Sequence, residues 1–272
     1  MPTIKEFNTV YSGYLRDSLI TAEDVRESLP TMRDVIRDIE RKLVPTEYLM
    51  GVQKGNRAHV GFDIRDTAIG AMITIGDDGS GKNNLSTEIA IQADSRGVPV
   101  SIFTSKKFDW HLKISDSTRY HELHGNTKLN ILEDLVRHIH TPKDKRIHPT
   151  QIVVIDSLPL ALDWLERHGK DDDENYLEKL QTVLEKGREN GIMTIASMNT
   201  DLYSRNVELM DRWMHYFPER IFGTTIFENI GSKLGDQSSY SLESFIKGVD
   251  FRWVHPTVQG PKSTDFWIPR LR

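Results

Sequence analysis

Cysteine is absent from this chain of 272 residues. Its absence excludes a disulfide framework, a thiolate nucleophile and a cysteine-bound zinc ion, and it is compatible with a reducing compartment. No apolar run approaches the roughly 18 residues that a membrane helix needs. The first residues also lack the basic stretch followed by an apolar stretch that is typical of a signal peptide. We therefore expect neither a signal peptide nor a membrane segment in this chain.

An excess of basic charge is missing as well. The formal net charge is −5 and the pI is about 6.1, so no global field attracts nucleic acid, and we expect no clear nucleic-acid partner. The sequence contains neither the Gly-x-Ser-x-Gly pattern of many hydrolases nor the His-Glu-x-x-His pattern of zinc proteases. These absences argue against a serine hydrolase of the Gly-x-Ser-x-Gly type and against a zinc protease of the His-Glu-x-x-His type.

What the sequence does have is a regular alternation of apolar strands and amphipathic helices. Short apolar runs predict strands at 71–76, 98–103, 151–156, 192–197 and 220–225. Apolar residues at helical spacing predict helices between these strands, one from the glycine-rich loop to Gly97 and others near 127–140, 158–167, 173–189 and 204–216. Strands alternating with helices in this way predict an α/β fold, with a mostly parallel sheet flanked by helices.

The two ends of the chain follow a different pattern. Met32, Val35, Ile36, Ile39 and Leu43 form one apolar stripe and predict a helix that stops at Pro45. We therefore expect an N-terminal helical segment or linker over 1–46 and the α/β domain over 47–272. A hairpin is predicted at 48–63, and a closing C-terminal hairpin within 240–272.

The segment 76–83 reads Gly-Asp-Asp-Gly-Ser-Gly-Lys-Asn and nearly matches the P-loop pattern Gly-x-x-x-x-Gly-Lys-Ser/Thr. Such a loop exposes backbone N–H groups to phosphates, and the helix that it opens adds the positive end of its dipole. The predicted strand before the loop and the helix after it favour this interpretation over a solvated glycine turn. We expect bound ATP to be held by Gly76, Asp77, Asp78, Gly79, Ser80, Gly81, Lys82, Asn83 and Asn84.

Asn83 departs from the pattern. A Ser or Thr hydroxyl at this position normally binds Mg²⁺, and the amide oxygen of asparagine is a weaker substitute, so we expect binding of magnesium to be possible but weakened. Asp77 and Asp78 are also unusual, since acidic side chains in a phosphate cradle repel an anionic ligand. If these two side chains point outward, their effect is neutral to mildly unfavourable.

Asp156 ends an apolar strand, as the Walker-B aspartate of P-loop enzymes does, and is a candidate Mg²⁺ ligand. A helix N-cap is an equally good interpretation of this residue. Hydrolytic enzymes of this class commonly place glutamate next to activate water, whereas this chain has Ser157, which has no basicity near neutral pH. At the end of the next strand, Asn199 or Ser197 is a possible sensor of the γ-phosphate, or simply part of a turn.

The order of these features resembles the FtsK/SpoIIIE branch of RecA-like motors. The residues that carry the resemblance are the hairpin at 48–63, the strand ending at Asp156, the segment ENGIMTIASMNT (189–200) and the segment FPERIFGTT (217–225). Within this branch the chain most resembles the last motor domain of the type VII secretion ATPases, EssC and EccC. Both nucleotide motifs are degenerate, the opening MPTIKEFNTVY (1–11) is similar to a linker between motor domains, and FWIPRLR (266–272) is similar to the strand that ends those proteins.

The resemblance implies a RecA-like P-loop core, in a soluble domain of a larger protein anchored at the cytoplasmic side of the bacterial cell membrane. It implies other motor domains of the same secretion ATPase and WXG100-type secreted substrates as partners. It further implies binding of ATP with weak or no hydrolysis, in a domain that serves regulation, assembly or substrate recognition.

Two alternatives stay open at this point. An active FtsK/HerA-like ATPase or DNA translocase working as a ring could borrow an arginine from a neighbouring subunit, and Arg188, Arg205 and Arg220 are equal candidates for that donor. The other alternative is an interaction module that has lost nucleotide altogether.

Overall fold

The computed structural model describes residues 46–54, 58–104, 119–122, 130–168, 175–205, 207–224 and 250–268. The helix predicted around 32–43 and the proposed boundary at 46/47 fall outside the described residues or at their edge. Among the described residues, no helix is long and apolar enough to cross a membrane.

Ten strands and six α-helices make up the described part of the chain. The strands are β1 (Glu47–Gln53), β2 (His59–Asp63), β3 (Met72–Gly76), β4 (Val100–Thr104), β5 (Arg119–Glu122), β6 (Gln151–Asp156), β7 (Ile192–Asn199), β8 (Glu219–Phe222), β9 (Asp250–His255) and β10 (Lys262–Trp267). The helices are α1 (Lys82–Ser95), α2 (Asn130–His140), α3 (Leu158–His168), α4 (Tyr176–Lys186), α5 (Thr200–Arg205) and α6 (Val207–Met214). Short 3₁₀ turns lie at Lys143–Lys145 and Arg188–Asn190.

All ten strands form one mixed sheet in the order β2-β1-β10-β9-β8-β3-β7-β6-β4-β5. From β8 to β5 every neighbouring pair is parallel. The hairpins β1–β2 and β9–β10 extend this parallel core with antiparallel pairs. The α/β fold class and both hairpins are therefore confirmed.

The parallel strands β3, β4, β6 and β7 are buried on both faces, which explains their largely apolar sequences. Because side chains alternate across a strand, Ile73 and Ile75 pack on the face covered by α2, α3, α4 and α6. Met72 lies on the opposite face, which is covered by α1 and the β1–β2 hairpin. Nine of the fourteen residues of α1 are buried, and Gln92 ties the helix to β1 by hydrogen bonds to the N–H and C=O of Leu49, at 2.9 and 2.8 Å.

Two differences from the predicted elements have physical causes. The strand β5 was missed because its sequence, Arg-Tyr-His-Glu, has no apolar alternation, and it forms by parallel pairing with β4 at the edge of the sheet. The helix predicted over 204–216 is divided into α5 and α6. The first of these begins at Thr200, directly after β7, where apolar spacing gave no signal.

Candidate nucleotide-binding site

The predicted site residues meet at the carboxyl ends of three adjacent parallel strands, β3, β7 and β6. A crevice at this edge is where open α/β sheets bind ligands. The edge holds a polar cavity of about 230 Å³. Its lining residues are Asp78, Gly79, Gly81, Lys82, Asn83, Asn84, Asp156, Ser157, Ser197 and Asn199.

The loop between β3 and α1 requires glycine at several positions. Gly79 and Gly81 have φ angles of 74° and 89°, in the left-handed region that strains other residues. A Cβ atom added to Gly76 would lie 2.6 Å from Ser80 Oγ, and one added to Gly223 would lie 3.1 Å from Ser80 Cβ. The fully buried Ser80 therefore packs in a slot between two glycines, which holds the loop against β3 and the end of β8.

Lys82 begins α1, and its ammonium group folds back over the loop. Its Nζ atom donates to the carbonyl oxygen of Gly76 at 2.9 Å and to that of Asp77 at 2.6 Å. The residue is only 7% exposed. Its positive charge adds to that of the N-terminus of α1 at the same edge of the cavity, the arrangement that favours a phosphate group.

Asp156 lies across the cavity from the loop and accepts two hydrogen bonds from side chains. Its Oδ1 atom accepts from the Ser197 hydroxyl at 2.7 Å, and its Oδ2 atom accepts from the Asn83 amide nitrogen at 3.0 Å. Asp156 and Ser197 are both buried. The peptide bond between Asp156 and Ser157 is cis. Asn83 thus contacts the carboxylate directly, at the place where a metal would link the two motifs.

The acidic residues of the loop contact the end of β7. Asp78 is exposed and lines the cavity, where its Oδ1 atom accepts from the Asn199 amide nitrogen at 2.8 Å. The half-buried Asp77 accepts a hydrogen bond from the Thr200 hydroxyl. Neither carboxylate simply points outward, because Asp78 hydrogen-bonds to Asn199 at the end of β7 and Asp77 hydrogen-bonds to Thr200 at the start of α5.

Two buried polar atoms of the cavity lining have no hydrogen-bond partner. They are the hydroxyl oxygen of Ser157, a residue 5% exposed, and the amide oxygen of Asn199, a residue 7% exposed. An unsatisfied buried polar group costs about 1–3 kcal/mol, and native structures keep few of them. Their position in a polar cavity beside a P-loop leaves both atoms available to a polar ligand or to water.

The residues present do not fit a magnesium ion. The hydroxyl that normally binds Mg²⁺ is missing, and both oxygens of Asp156 accept hydrogen bonds from protein groups. Mg²⁺ requires near-octahedral coordination by oxygen atoms. Here the Asn83 amide nitrogen faces Asp156, so an N–H donor stands where the metal needs an oxygen ligand.

The described lining of the cavity includes the carboxylates of Asp78 and Asp156, but no glutamate follows Asp156. This described lining contains no glutamate or histidine, and Ser157 takes the position next to Asp156. The arrangement can hold phosphate through backbone N–H groups, Lys82 and hydroxyls, but it offers no group placed to remove a proton from water in the way that the usual glutamate does.

The structure brings most of the predicted residues together. Asn84 lies at the exposed rim, whereas Gly76, Asp77 and Ser80 form the loop behind the cavity. Sequence reasoning missed Thr200 and Gly223. Thr200 could have been found as the polar residue after Asn199, but Gly223 carries no motif, and its contact with Ser80 depends on the pairing of β8 with β3.

The three arginines considered as donors to a neighbouring subunit differ in their surroundings. Arg188 is buried, and its guanidinium donates to the backbone oxygens of Ile64 at 2.6 Å and Ile69 at 2.5 Å. Burial lowers the pKa of this guanidinium, and Asp66 and Asp63 partly offset the effect. Arg188 therefore serves the fold of its own chain. Arg220 is half-buried, and the side chain of Arg205 lies outside the described residues.

Comparison with known proteins gives matches in structure but not in sequence. No family model matches the chain, and no curated protein matches it significantly. Among solved structures, the cytoplasmic domain of EssC aligns with a TM-score of 0.63 and 14% identity, over 89% of this chain and 46% of that chain.

Two further solved structures were determined with a bound ligand. EccC ATPases 2 and 3 of Thermomonospora curvata, in complex with a signal sequence peptide, align with a TM-score of 0.55 and 14% identity, over 84% of this chain and 41% of that chain. The pCW3 conjugation coupling protein TcpA with ATPγS aligns with a TM-score of 0.57 and 15% identity, over 89% of this chain and 69% of that chain.

The chain thus spans less than half the length of the EssC and EccC chains that it matches. Its fold resembles that of the EssC and EccC ATPase domains and of TcpA. The RecA-like core and the resemblance to EssC and EccC are confirmed, whereas the match to their last motor domain stays a prediction.

Proposed function

We propose that this chain is a degenerate nucleotide-binding motor domain of a type VII protein secretion ATPase, which binds ATP and hydrolyses it weakly or not at all. The observation that carries the proposal is the direct hydrogen bond from Asn83 to Asp156 at 3.0 Å. It joins the two nucleotide motifs where an active enzyme would place a metal ion. The P-loop with Lys82 and the unpartnered Ser157 hydroxyl remain able to receive phosphate.

The wider role follows from the resemblance rather than from the site. The domain would belong to a larger protein anchored at the cytoplasmic side of the bacterial cell membrane, packed beside other motor domains of that protein. It would act in regulation, assembly or recognition of WXG100-type substrates. The signal sequence peptide held by EccC ATPases 2 and 3 and the ATPγS held by TcpA support substrate and nucleotide binding in this structural class.

The proposal is tested by measuring ATP affinity by calorimetry and ATP turnover by phosphate release. We expect binding that is insensitive to Mg²⁺ and turnover near background, with Lys82→Ala weakening binding by at least about tenfold because a buried cation near the phosphates is lost. Lys145→Ala is the matched control, because this exposed lysine lies in the 3₁₀ turn before β6, at the opposite end of that strand from the cavity.

Two outcomes would contradict the proposal in different ways. Brisk magnesium-dependent turnover that Lys82→Ala abolishes would identify an active ATPase, and steeply salt-dependent DNA binding would then favour a translocase ring. Absence of ATP binding at millimolar concentration would favour an interaction module that has lost nucleotide.

A further inference from the structure

The cavity beside the P-loop contains more negative than positive side-chain charge. Asp78 and Asp156 both line it, whereas Lys82 is the only basic residue among the described lining. The ammonium of Lys82 donates to the carbonyl oxygens of Gly76 and Asp77, and it lies 3.4 Å from Ser80 Oγ. In active P-loop enzymes a magnesium ion neutralises the charge between the phosphates and the Walker-B aspartate, but the residues here do not fit that ion.

The carboxylate of Asp156 is held in one orientation. It is 3% exposed, and the hydroxyl of Ser197 and the amide of Asn83 hold its two oxygens. Turning the carboxylate away from the cavity would break the buried hydrogen bond with Ser197 and the partly buried one with Asn83, and an unmade buried bond is costly. A ligand must therefore accommodate the charge of Asp156 where it lies.

The negative charge of Asp156 lies at different distances from the individual phosphates of a bound nucleotide. The glycine-rich loop and the start of α1 receive the inner phosphates, and the terminal phosphate of a triphosphate extends toward the strand that carries the Walker-B aspartate. Here that strand is β6, ending at Asp156. Like charges a few ångströms apart in a partly buried site repel strongly, so the third phosphate meets a penalty that the second does not.

We propose that Asp156 is a specificity-determining residue that makes the metal-free site bind nucleoside diphosphates more tightly than triphosphates. The inference rests on the proposed nucleotide-binding function and refines it. The site still accepts ATP, but the diphosphate form is its preferred ligand. Asp78 contributes to the same discrimination to a smaller extent, because its exposed carboxylate is screened by solvent.

The test compares ADP and ATP in calorimetric titrations of the 272-residue protein in the presence of EDTA. We expect ADP to bind at least about tenfold more tightly than ATP. Asp156→Asn, which removes the charge while keeping the shape, should strengthen ATP binding and bring the ratio close to one. Asp78→Asn should lower the ratio partially. Asp144→Asn is the matched control, because this exposed residue lies in the 3₁₀ turn before β6, away from the cavity, and its ratio should equal that of the natural chain.

The outcomes separate this inference from the function on which it rests. Equal or tighter binding of ATP by the natural chain overturns the inference and leaves nucleotide binding intact, as does an unchanged ratio in a folded Asp156→Asn variant. Failure of both nucleotides to bind overturns the inference and the proposed function together. Thermal melting establishes whether Asp156→Asn folds, and if it does not, the ratios of the natural chain and of Asp78→Asn decide.

Discussion

At the scale of single residues, Asn83 decides how the two nucleotide motifs meet. A threonine or serine at this position would turn a hydroxyl toward a metal ion, whereas the asparagine amide donates to Asp156 over 3.0 Å. The amide contact links a helix start to a strand end that lie 73 residues apart in the sequence. The substitution therefore replaces a metal bridge by a hydrogen bond and keeps the two elements in place.

Restoring the hydroxyl should restore sensitivity to magnesium. We expect Asn83→Thr to bind ATP about tenfold more tightly with Mg²⁺ than with EDTA, because a hydroxyl ligand returns and the donor to Asp156 is removed. Turnover should stay low, because Ser157 still supplies no base. Calorimetry with and without Mg²⁺ and a phosphate-release assay measure the two effects.

Asn84→Thr is the control for this variant, because it places the same hydroxyl one position later, at the exposed rim of the cavity. It should leave binding insensitive to Mg²⁺. An Asn83→Thr protein that binds ATP equally with and without Mg²⁺ would contradict the interpretation of Asn83.

At the scale of elements, α1 connects the nucleotide loop to the antiparallel hairpin. The strand β1 has an irregular register near Leu49 and Gly51, and the side chain of Gln92 makes hydrogen bonds to the backbone of Leu49. The Gln92 side chain therefore makes the hydrogen bonds to Leu49 that the backbone of a neighbouring strand would otherwise make. The hairpin is fixed to the same helix that begins at Lys82.

Removing this connection should destabilise the fold without touching the cavity. Gln92→Ala leaves the N–H and C=O of Leu49 without their partner in a buried place, and we expect a loss of about 2–4 kcal/mol in the free energy of unfolding. Urea unfolding followed by circular dichroism measures it. Gln181→Ala, at an exposed position of α4 where the side chain bonds Glu185 and Tyr216, should change stability by no more than about 0.5 kcal/mol. A similarly small change for Gln92→Ala would show that the hairpin is held in another way.

At the scale of the whole molecule, the sheet separates the site from a buried acidic residue at the other end of its strands. Glu219 begins β8 and is fully buried, with Trp253 Nε1 donating to its Oε2 atom at 2.8 Å and His255 Nδ1 lying 3.4 Å from its Oε1 atom. Burial raises the pKa of Glu219 above its usual range, and the contacts with Trp253 and His255 offset part of this rise.

This raised pKa has a definite consequence for stability against pH. A carboxyl whose pKa is higher in the folded than in the unfolded chain stabilises the fold fully below the unfolded pKa, and the contribution is lost as pH rises through the folded pKa. Glu219→Gln keeps an acceptor for Trp253 but cannot ionise. We expect its stability relative to the natural chain to increase as pH rises from acidic to mildly alkaline values. Urea unfolding over that range measures the difference, and a difference that is constant with pH would contradict the assignment.

Much of the fold could be predicted from the sequence because its causes are local or periodic. Apolar strands and glycine-bounded helices gave the α/β class, and the strand predicted at 151–156 matches β6 at both ends. The nucleotide loop was predictable because Gly79 and Gly81 supply backbone angles that few other residues adopt. The edge strand β5 was not predictable, because its pairing with β4 rather than its own pattern makes it a strand.

The sequence by itself determined that this chain carries a P-loop followed by Asn83 and a Walker-B strand followed by Ser157. These are statements about which chemical groups exist, and residue identity settles them. Only the tertiary structure decided what the groups do to one another. It placed the Asn83 amide within hydrogen-bond distance of Asp156. It also joined Asp78 to the end of β7 and Asp77 to the start of α5, and it paired the buried Arg188 with backbone carbonyl groups. Such contacts join residues far apart in the chain, and their geometry follows from strand order and packing, which no local pattern encodes.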